Sequence, residues 1–471
     1  MPNLCTVSRA AALIAVATAI ISCDDDNDPN QPPGTVTFAD VDAVFDEDCS
    51  ACHAAHRVFL TGMDSALLQQ SGLVDPTNPD QSLVILKPTG AVPHEGGVIP
   101  GFTSADQEVV EAWVAGLPPA NQVLTAIKVG GPTGLTPPVV DGLGDAVWDQ
   151  ASSTKYFIGG GWADAGSVTM KAAYDASYVY FQLTYADDAR SDRRQPWVKQ
   201  VDGSWLTLPA KSPSPAPGST WLEYVFAGLD EEDHDRFNYE DKLAIIWNTY
   251  GPSTVAGFET SGCSVTCHDP RQGGNPGTTY NYADQNQASK KYTNAPNEIA
   301  DMWHWKMVRN NQHAKVDDQY VGYWVPGTDD PAEGGRFGDE GTTGYGGNPE
   351  SNGHPTYRGL SLDVPPYYIL DAEKVPLTDE DAAGLPPGTE IPNMITSGPT
   401  GGRADVDGVG VYDAANESWT LEIRRQLQTP EATDVQFDDL GRQYAFGLAV
   451  FDNAQIEHSY MATVGKLVFQ P

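Results

Sequence analysis

The sequence predicts an α + β multidomain protein: a small all-α domain over residues 35–118, then an antiparallel β-sandwich over residues 139–471. Three observations carry this expectation. Apolar residues recur at helical spacing near the start, in Phe38, Val41, Val44 and Phe45, and again in Val109, Val110, Trp113 and Val114. Beyond residue 140 long helical periodicity is scarce, and short runs rich in β-branched and aromatic residues take its place. The 47 glycines and 36 prolines supply the turns that such strands need.

A hydrophobic fraction of 40%, with 10% aromatics, is that of a chain that can bury a core. The formal charge of −37 excludes nucleic acid as a partner, because little here would neutralise phosphates. It suits a solvated acidic surface, a basic redox partner or bound calcium.

Residues 1–22 carry Arg9 as their one charge before an apolar run from Ala10 to Ile21. The run is too short to span a bilayer and fits a signal peptide. Ile20-Ile21-Ser22-Cys23 resembles a bacterial lipobox, which implies that Cys23 is acylated and that the exported chain is anchored to a membrane. Residues 23–34, with Asp24, Asp25, Asp26, Asp28 and three prolines, read as a solvated tether.

In the first domain, Phe38 to Phe45 lead into Cys49-Ser50-Ala51-Cys52-His53, and Ser104 with Gln107 forms a capping box for a closing helix stopped by Gly116 and Pro118. The cysteine run resembles a c-type haem attachment site, in which two thiols add across the haem vinyl groups and the adjacent histidine reaches the iron. Helix, motif and closing aromatic helix together resemble a class I cytochrome c. The sixth ligand falls to His94, in a Pro-His-Glu-Gly-Gly loop, with Met63 and His56 as alternatives.

Residues 119–138 read as a connector with one short apolar patch. The second domain then offers strands at 168–172, 178–185, 243–247, 419–423 and 444–451. Between them lies Cys263-Ser264-Val265-Thr266-Cys267-His268, a second haem attachment pattern with one extra residue between the thiols. A disulfide would close a strained loop here, and a zinc site would need further thiolate or imidazole ligands. Cys5 and Cys23 belong to the leader, so no pair is left for a structural disulfide.

From Asp141-Gly142 and Trp148 onward, this chain resembles the haem-binding domain of the ethylbenzene dehydrogenase γ-subunit family, which includes the dimethyl sulfide dehydrogenase γ-subunit. The residues that carry the resemblance are Tyr178–Tyr185, Asp241–Trp247, Asp301-Met302-Trp303-His304-Trp305-Lys306, Asp317-Asp318-Gln319 and Glu422-Ile423-Arg424-Arg425. It implies a β-sandwich shaped like family 9 carbohydrate-binding modules that carries electrons away from a molybdenum enzyme through a haem. Cys263 and Cys267 depart from the pattern by making the haem covalent, and the insertions around 271–298 and 326–400 have no counterpart.

The resemblance places the second ligand near the C-terminus, where His458 fits; His304, Met307, His313 and Met461 remain open. Trp303 and Trp305 are expected to wall the haem pocket, and Lys306 and Arg309 to pair with its propionates. The acidic runs Glu231–Asp235 and Asp329, Asp330, Asp339 and Glu340 are the candidate calcium ligands. The expected protein is a lipid-anchored dihaem c-type cytochrome of the periplasm or cell surface. A subunit of a molybdenum oxidoreductase and a carbohydrate- or surface-binding sandwich are the rival expectations.

Overall fold

The computed structural model describes residues 36, 38–48, 73–75, 79–91, 98–115, 123–158, 165–208, 238–266, 292–293, 295–323, 335–455, 458–461 and 463–471. The described chain is mostly β, built on one large mixed sheet with few helices.

Near the N-terminus, helices α1 (Phe38–Asp48), α2 (Leu83–Leu86) and α3 (Ser104–Ala115) enclose a small core of Val41, Phe45, Ile85, Val110 and Val114. The predicted apolar stripes are the faces that meet there, with Phe38 and Trp113 ring centroids 5.4 Å apart. The cap of α3 sits one residue earlier than the sequence suggested. Thr103 is the capping residue, its backbone N–H donating to Asp106 Oδ2 at 2.7 Å while the Asp106 N–H donates back to Thr103 Oγ1 at 3.4 Å. Threonine and aspartate three apart satisfy the same orphan donors that Ser104 and Gln107 were expected to serve. The motif at Cys49–His53 and His94 lie outside the described residues.

The large sheet comprises β1 (Val123–Lys128), β2 (Thr154–Phe157), β3 (Ser167–Tyr174), β4 (Tyr178–Ala186), β5 (Lys242–Asn248), β6 (Ala300–Lys306), β7 (Asp317–Val321), β8 (Arg336–Gly338), β9 (Val406–Asp413), β10 (Ser418–Gln426), β11 (Tyr444–Phe451), β12 (Ser459–Tyr460) and β13 (Gly465–Phe469). Its order is β8-β7-β6-β5-β11-β13-β1-β3-β4-β10-β9, with β2 beside β3 and β12 beside β11. The sheet folds over so that its halves share one core, which includes Trp247, Trp303, Trp305, Phe181, Trp419, Phe437 and Phe446. The far ends meet again where Lys315 bridges Asp407 and the Val316 N–H donates to the Val406 carbonyl at 3.0 Å.

Two expectations are corrected here. The sandwich is mixed, because β1 runs parallel to both β13 and β3. And β1 comes from the stretch read as a connector: its apolar patch, with Leu124 and Ala126 fully buried, is the strand that joins the two halves.

The Asp-Gly…Trp motif locks this fold. Glu422 on β10 accepts from the backbone N–H groups of Asp141 and Gly142, at 3.2 and 3.0 Å, and from Trp148 Nε1 at 2.8 Å. A buried carboxylate with three donors is a satisfied one. The described part of the 326–400 insertion folds against Trp197 and Trp205 around its own small core of Ile369, Leu377 and Ile391.

Candidate functional site

Every residue of β5 and β6 is buried, so both faces of these strands are covered. Alternation along a strand sends successive side chains to opposite faces. Leu243, Ile245 and Trp247 of β5 and Trp303 and Trp305 of β6 enter the sandwich core. The outer face therefore carries Lys242, Ala244 and Ile246, Met302, His304 and Lys306, and Gly447, Ala449 and Phe451 of β11. The register places Ala244 between His304 and Ala449, and Ile246 between Met302 and Gly447.

Cys263 lies over this face. It sits in a single turn, Gly262–Val265, within a small cluster that includes Ile246, Val255, Phe258, Met302 and Ala445. Two glycines seat it. Gly262 has φ +56, and a Cβ there would meet the Thr463 carbonyl oxygen at 2.8 Å. A Cβ on Gly447 would stand 3.0 Å from Cys263 Cβ and 3.2 Å from its Sγ. The thiol itself points toward the Met461 carbonyl, 3.8 Å away.

Two positions farther along the strands, roughly 7 Å, stands His304, 5% exposed. Its Nδ1 is 3.3 Å from Gln319 Oε1, which makes Nδ1 the protonated nitrogen. Nε2 is buried and finds no hydrogen-bond partner among the described residues. Burial, and then the charges of Lys306, Lys242, Arg336 and Arg309, push the imidazole well below the usual histidine range, so it is neutral. A buried neutral imidazole with an unpartnered lone pair is a ligand awaiting an acceptor.

Phe451 joins the two histidines expected from the sequence. Its ring is 5.4 Å from that of His304 and 4.5 Å from that of His458. His458, half-buried, precedes Tyr460 by two positions, and Tyr460 opposes Ala449 on β11. Met461 instead turns inward and belongs to the core, as does Met307. His313 is remote from this face, its Nε2 3.0 Å from Thr396 Oγ1.

Trp303 and Trp305 do not wall a pocket shared with His304. Adjacent positions on one strand face opposite ways, and these indoles pack against Trp247 and Phe437 and against Trp419 inside the sandwich. Lys306 and Arg309 already have carboxylate partners. Lys306 pairs with Asp317, which also takes Arg403, and Arg309 Nε lies 2.5 Å from Glu240 Oε1, which also takes Arg194. Burial would raise Glu240, but Arg309 and Arg194 hold its carboxyl below the ordinary range. Lys242 donates to the Gln455 carbonyl at 3.0 Å and lies over the Phe451 ring, and burial with Arg309 nearby pushes its ammonium well below the usual lysine range.

Met302 and Lys242 were not singled out from the sequence as site residues. The signal was there in the spacing: Met302, His304 and Lys306 alternate along one strand. Cys23, Cys49, Cys52, His53, His94, Cys267 and His268 lie outside the described residues, as do Glu231–Asp235, Asp329 and Asp330.

The fold and face define a mostly β protein with a covered, partly polar surface on one half of its sheet. Residues 145–463 match the family model described as "Ethylbenzene dehydrogenase", and the chain belongs to that family. Among solved structures, similar folds are a family 9 carbohydrate binding module from Caldicellulosiruptor kristjanssonii in complex with glucose (8% identity, 74% of this chain, 95% of that chain, TM-score 0.28) and the same module with cellotriose (7%, 74%, 93%, 0.27). A putative carbohydrate-binding protein from Bacteroides uniformis is similar too (8%, 74%, 99%, 0.23). No curated protein matches the chain.

Proposed function

We propose that this protein is an exported electron-transfer protein whose sandwich holds one c-type haem over the outer face of β5, β6 and β11. The observation that carries this reading is the meeting, on one face, of the buried Cys263 thiol and the unpartnered Nε2 of neutral His304. Cys263 and Cys267 would attach the haem covalently, with His268 binding the iron from the cysteine side and His304 from the sheet. A haem bound there would supply a one-electron iron couple.

The chain's own residues do the rest. Gln319 fixes the His304 tautomer and leaves Nε2 as the donor to metal. Ala244, Gly447 and Ala449 keep the floor flat, and Phe451 shields it from water. Lys306 and Arg309 are tied to Asp317 and Glu240, and Lys242, its ammonium pushed well below the usual lysine range, lies over Phe451 as a buried amine beside the site.

A second haem on Cys49 and Cys52, with His53 and His94, would make the chain a dihaem relay. Acylation of Cys23 would tether it to a membrane. Membership of a redox-enzyme family supports a redox protein as its partner, a molybdenum enzyme or another cytochrome.

The test is spectroscopic. Full-length protein matured with haem should show a low-spin spectrum for the sandwich haem, and His304→Ala should turn that haem high-spin while covalent haem is retained. An unchanged spectrum in His304→Ala with a changed one in His458→Ala would move the ligand to His458. Absence of covalent haem in the sandwich would overturn the proposal.

A further inference from the structure

Electron transfer leaves unexplained why carboxylates from three separate segments meet inside the sandwich. Asp301 lies on the Trp-His-Trp strand β6, Asp318 on β7, and Asp434 in the loop between β10 and β11. One oxygen from each lies within 4.8 Å of the others, and all three residues are buried.

Their hydrogen bonds do not account for them. Asp301 Oδ2 accepts from the Val435 N–H at 2.9 Å and from Trp303 Nε1 at 3.1 Å, yet Oδ1 has no partner. Asp434 Oδ2 accepts from Thr429 Oγ1 at 2.5 Å and takes Arg425 Nη2 at 2.5 Å, yet Oδ1 has none. Asp318 is fully buried, and neither of its oxygens has a donor. A fourth carboxylate, Asp339, is 6% exposed; Thr433 donates to its Oδ1, and its Oδ2 is also unpartnered. Its backbone N–H donates to the Asp318 carbonyl at 3.5 Å.

Arg425 is the cation paired with the trio among the described residues, buried between Asp434 and Asp301, the latter 3.9 Å away. One guanidinium cannot compensate four carboxylates, so without a further cation burial raises Asp301 as well as Asp318 and holds protons on them. Native interiors rarely leave such groups unpaired, because burying a carboxylate without donors or a counter-charge costs several kcal/mol. Burial and the neighbouring carboxylates push Asp318 well above the usual range, the same demand for a positive charge seen from the proton's side.

We propose that Asp301, Asp318 and Asp434, with Asp339 at the rim, bind one calcium ion that ties β6 and β7 to the loop between β10 and β11. The donors are all carboxylate oxygens, the set of a hard cation, with no imidazole or thiolate that would select zinc. Calcium takes six to eight oxygens in flexible geometry, which suits carboxylates drawn from separate segments, whereas magnesium demands a near-ideal octahedron and keeps more water. Oxygens of Asp301, Asp318 and Asp434 would be the ligand atoms, with Asp339 near the rim, and Arg425 and the Val435 N–H hold Asp434 and Asp301 in place. This inference does not rest on the haem reading.

The experiment uses full-length protein treated with EGTA and desalted. Calcium is then titrated calorimetrically, and bound calcium is counted by elemental analysis. Asp318→Asn should bind one calcium fewer than the wild type, and calcium should raise the wild-type unfolding temperature where equal magnesium does not. Asp339→Asn, at the rim, should keep the fold and weaken calcium binding at least about tenfold. Haem content and spectrum should be unchanged in both variants. A wild type whose unfolding temperature ignores calcium, or variants that bind calcium like the wild type, would overturn the proposal.

Discussion

Along β5 and β6 the side chains that enter the sandwich and those that leave it are buried alike, but by different means. The inner face is closed by complementary hydrocarbon: Trp247, Trp303 and Phe437 pack ring on ring, with centroids 5.2–6.4 Å apart. The outer face is covered yet polar, with His304, Lys242 and Lys306 set among alanines and a glycine. Burial against hydrocarbon makes stability, whereas burial of a histidine whose lone pair is unused makes a site.

The comparison breaks first on the inner face. Trp303→Ala should destabilise the chain by about 3–5 kcal/mol, because it empties the centre of the aromatic cluster. Denaturant unfolding measures this, and any haem loss should follow unfolding rather than precede it. If Trp303→Ala strips haem from a chain that still unfolds like the wild type, the indole belongs to the site after all.

On the outer face the order should reverse. Gly447→Val puts carbon where Cys263 sits and should cost about 1–3 kcal/mol by overpacking. Its main effect should be loss of the sandwich haem while the N-terminal haem remains, read by haem staining of the separated fragments. Lys242→Met replaces a buried amine with a similar hydrocarbon; it should leave stability unchanged or raise it by about 1 kcal/mol. Because burial holds the Lys242 amine neutral, the potential of the sandwich haem should stay unchanged, and potentiometry reads that.

Asp187 serves as a reference outside both faces. Burial raises its carboxyl to about 7 from the usual 3.8. Between those values the folded chain holds a proton that the unfolded chain releases. The stabilisation is therefore full at low pH and is lost as pH rises through 7. Asp187→Asn should flatten this part of the profile, with a change in unfolding temperature of about 2–4 °C, what roughly 1 kcal/mol produces in a domain of 150–250 residues.

Much of the fold was legible because its signals are local. The stripes of α1 and α3 and the runs at 178–185, 243–247 and 444–451 each form the element they suggest. The assignment of faces was not legible in β5 and β6, since a strand buried on both sides shows no polar-apolar alternation. Trp303, His304 and Trp305 thus read as one wall, although the indoles and the imidazole stand on opposite sides. Leu124 and Ala126 hid in a proline- and glycine-rich stretch, where only the tertiary neighbours β13 and β3 reveal a strand. The carboxylates of Asp301, Asp318, Asp339 and Asp434 come from four separate segments, and no spacing in the sequence brings them together.

The central claim is that the outer face holds a haem through Cys263. Proteolysis of the matured full-length chain, followed by mass spectrometry of the peptide that contains Cys263 and Cys267, tests it directly. This peptide should carry the mass of one haem, absorb in the Soret region, and lose both in the Cys263→Ala, Cys267→Ala variant. An unmodified Cys263–Cys267 peptide, from a preparation whose Cys49–Cys52 peptide carries haem, would contradict it.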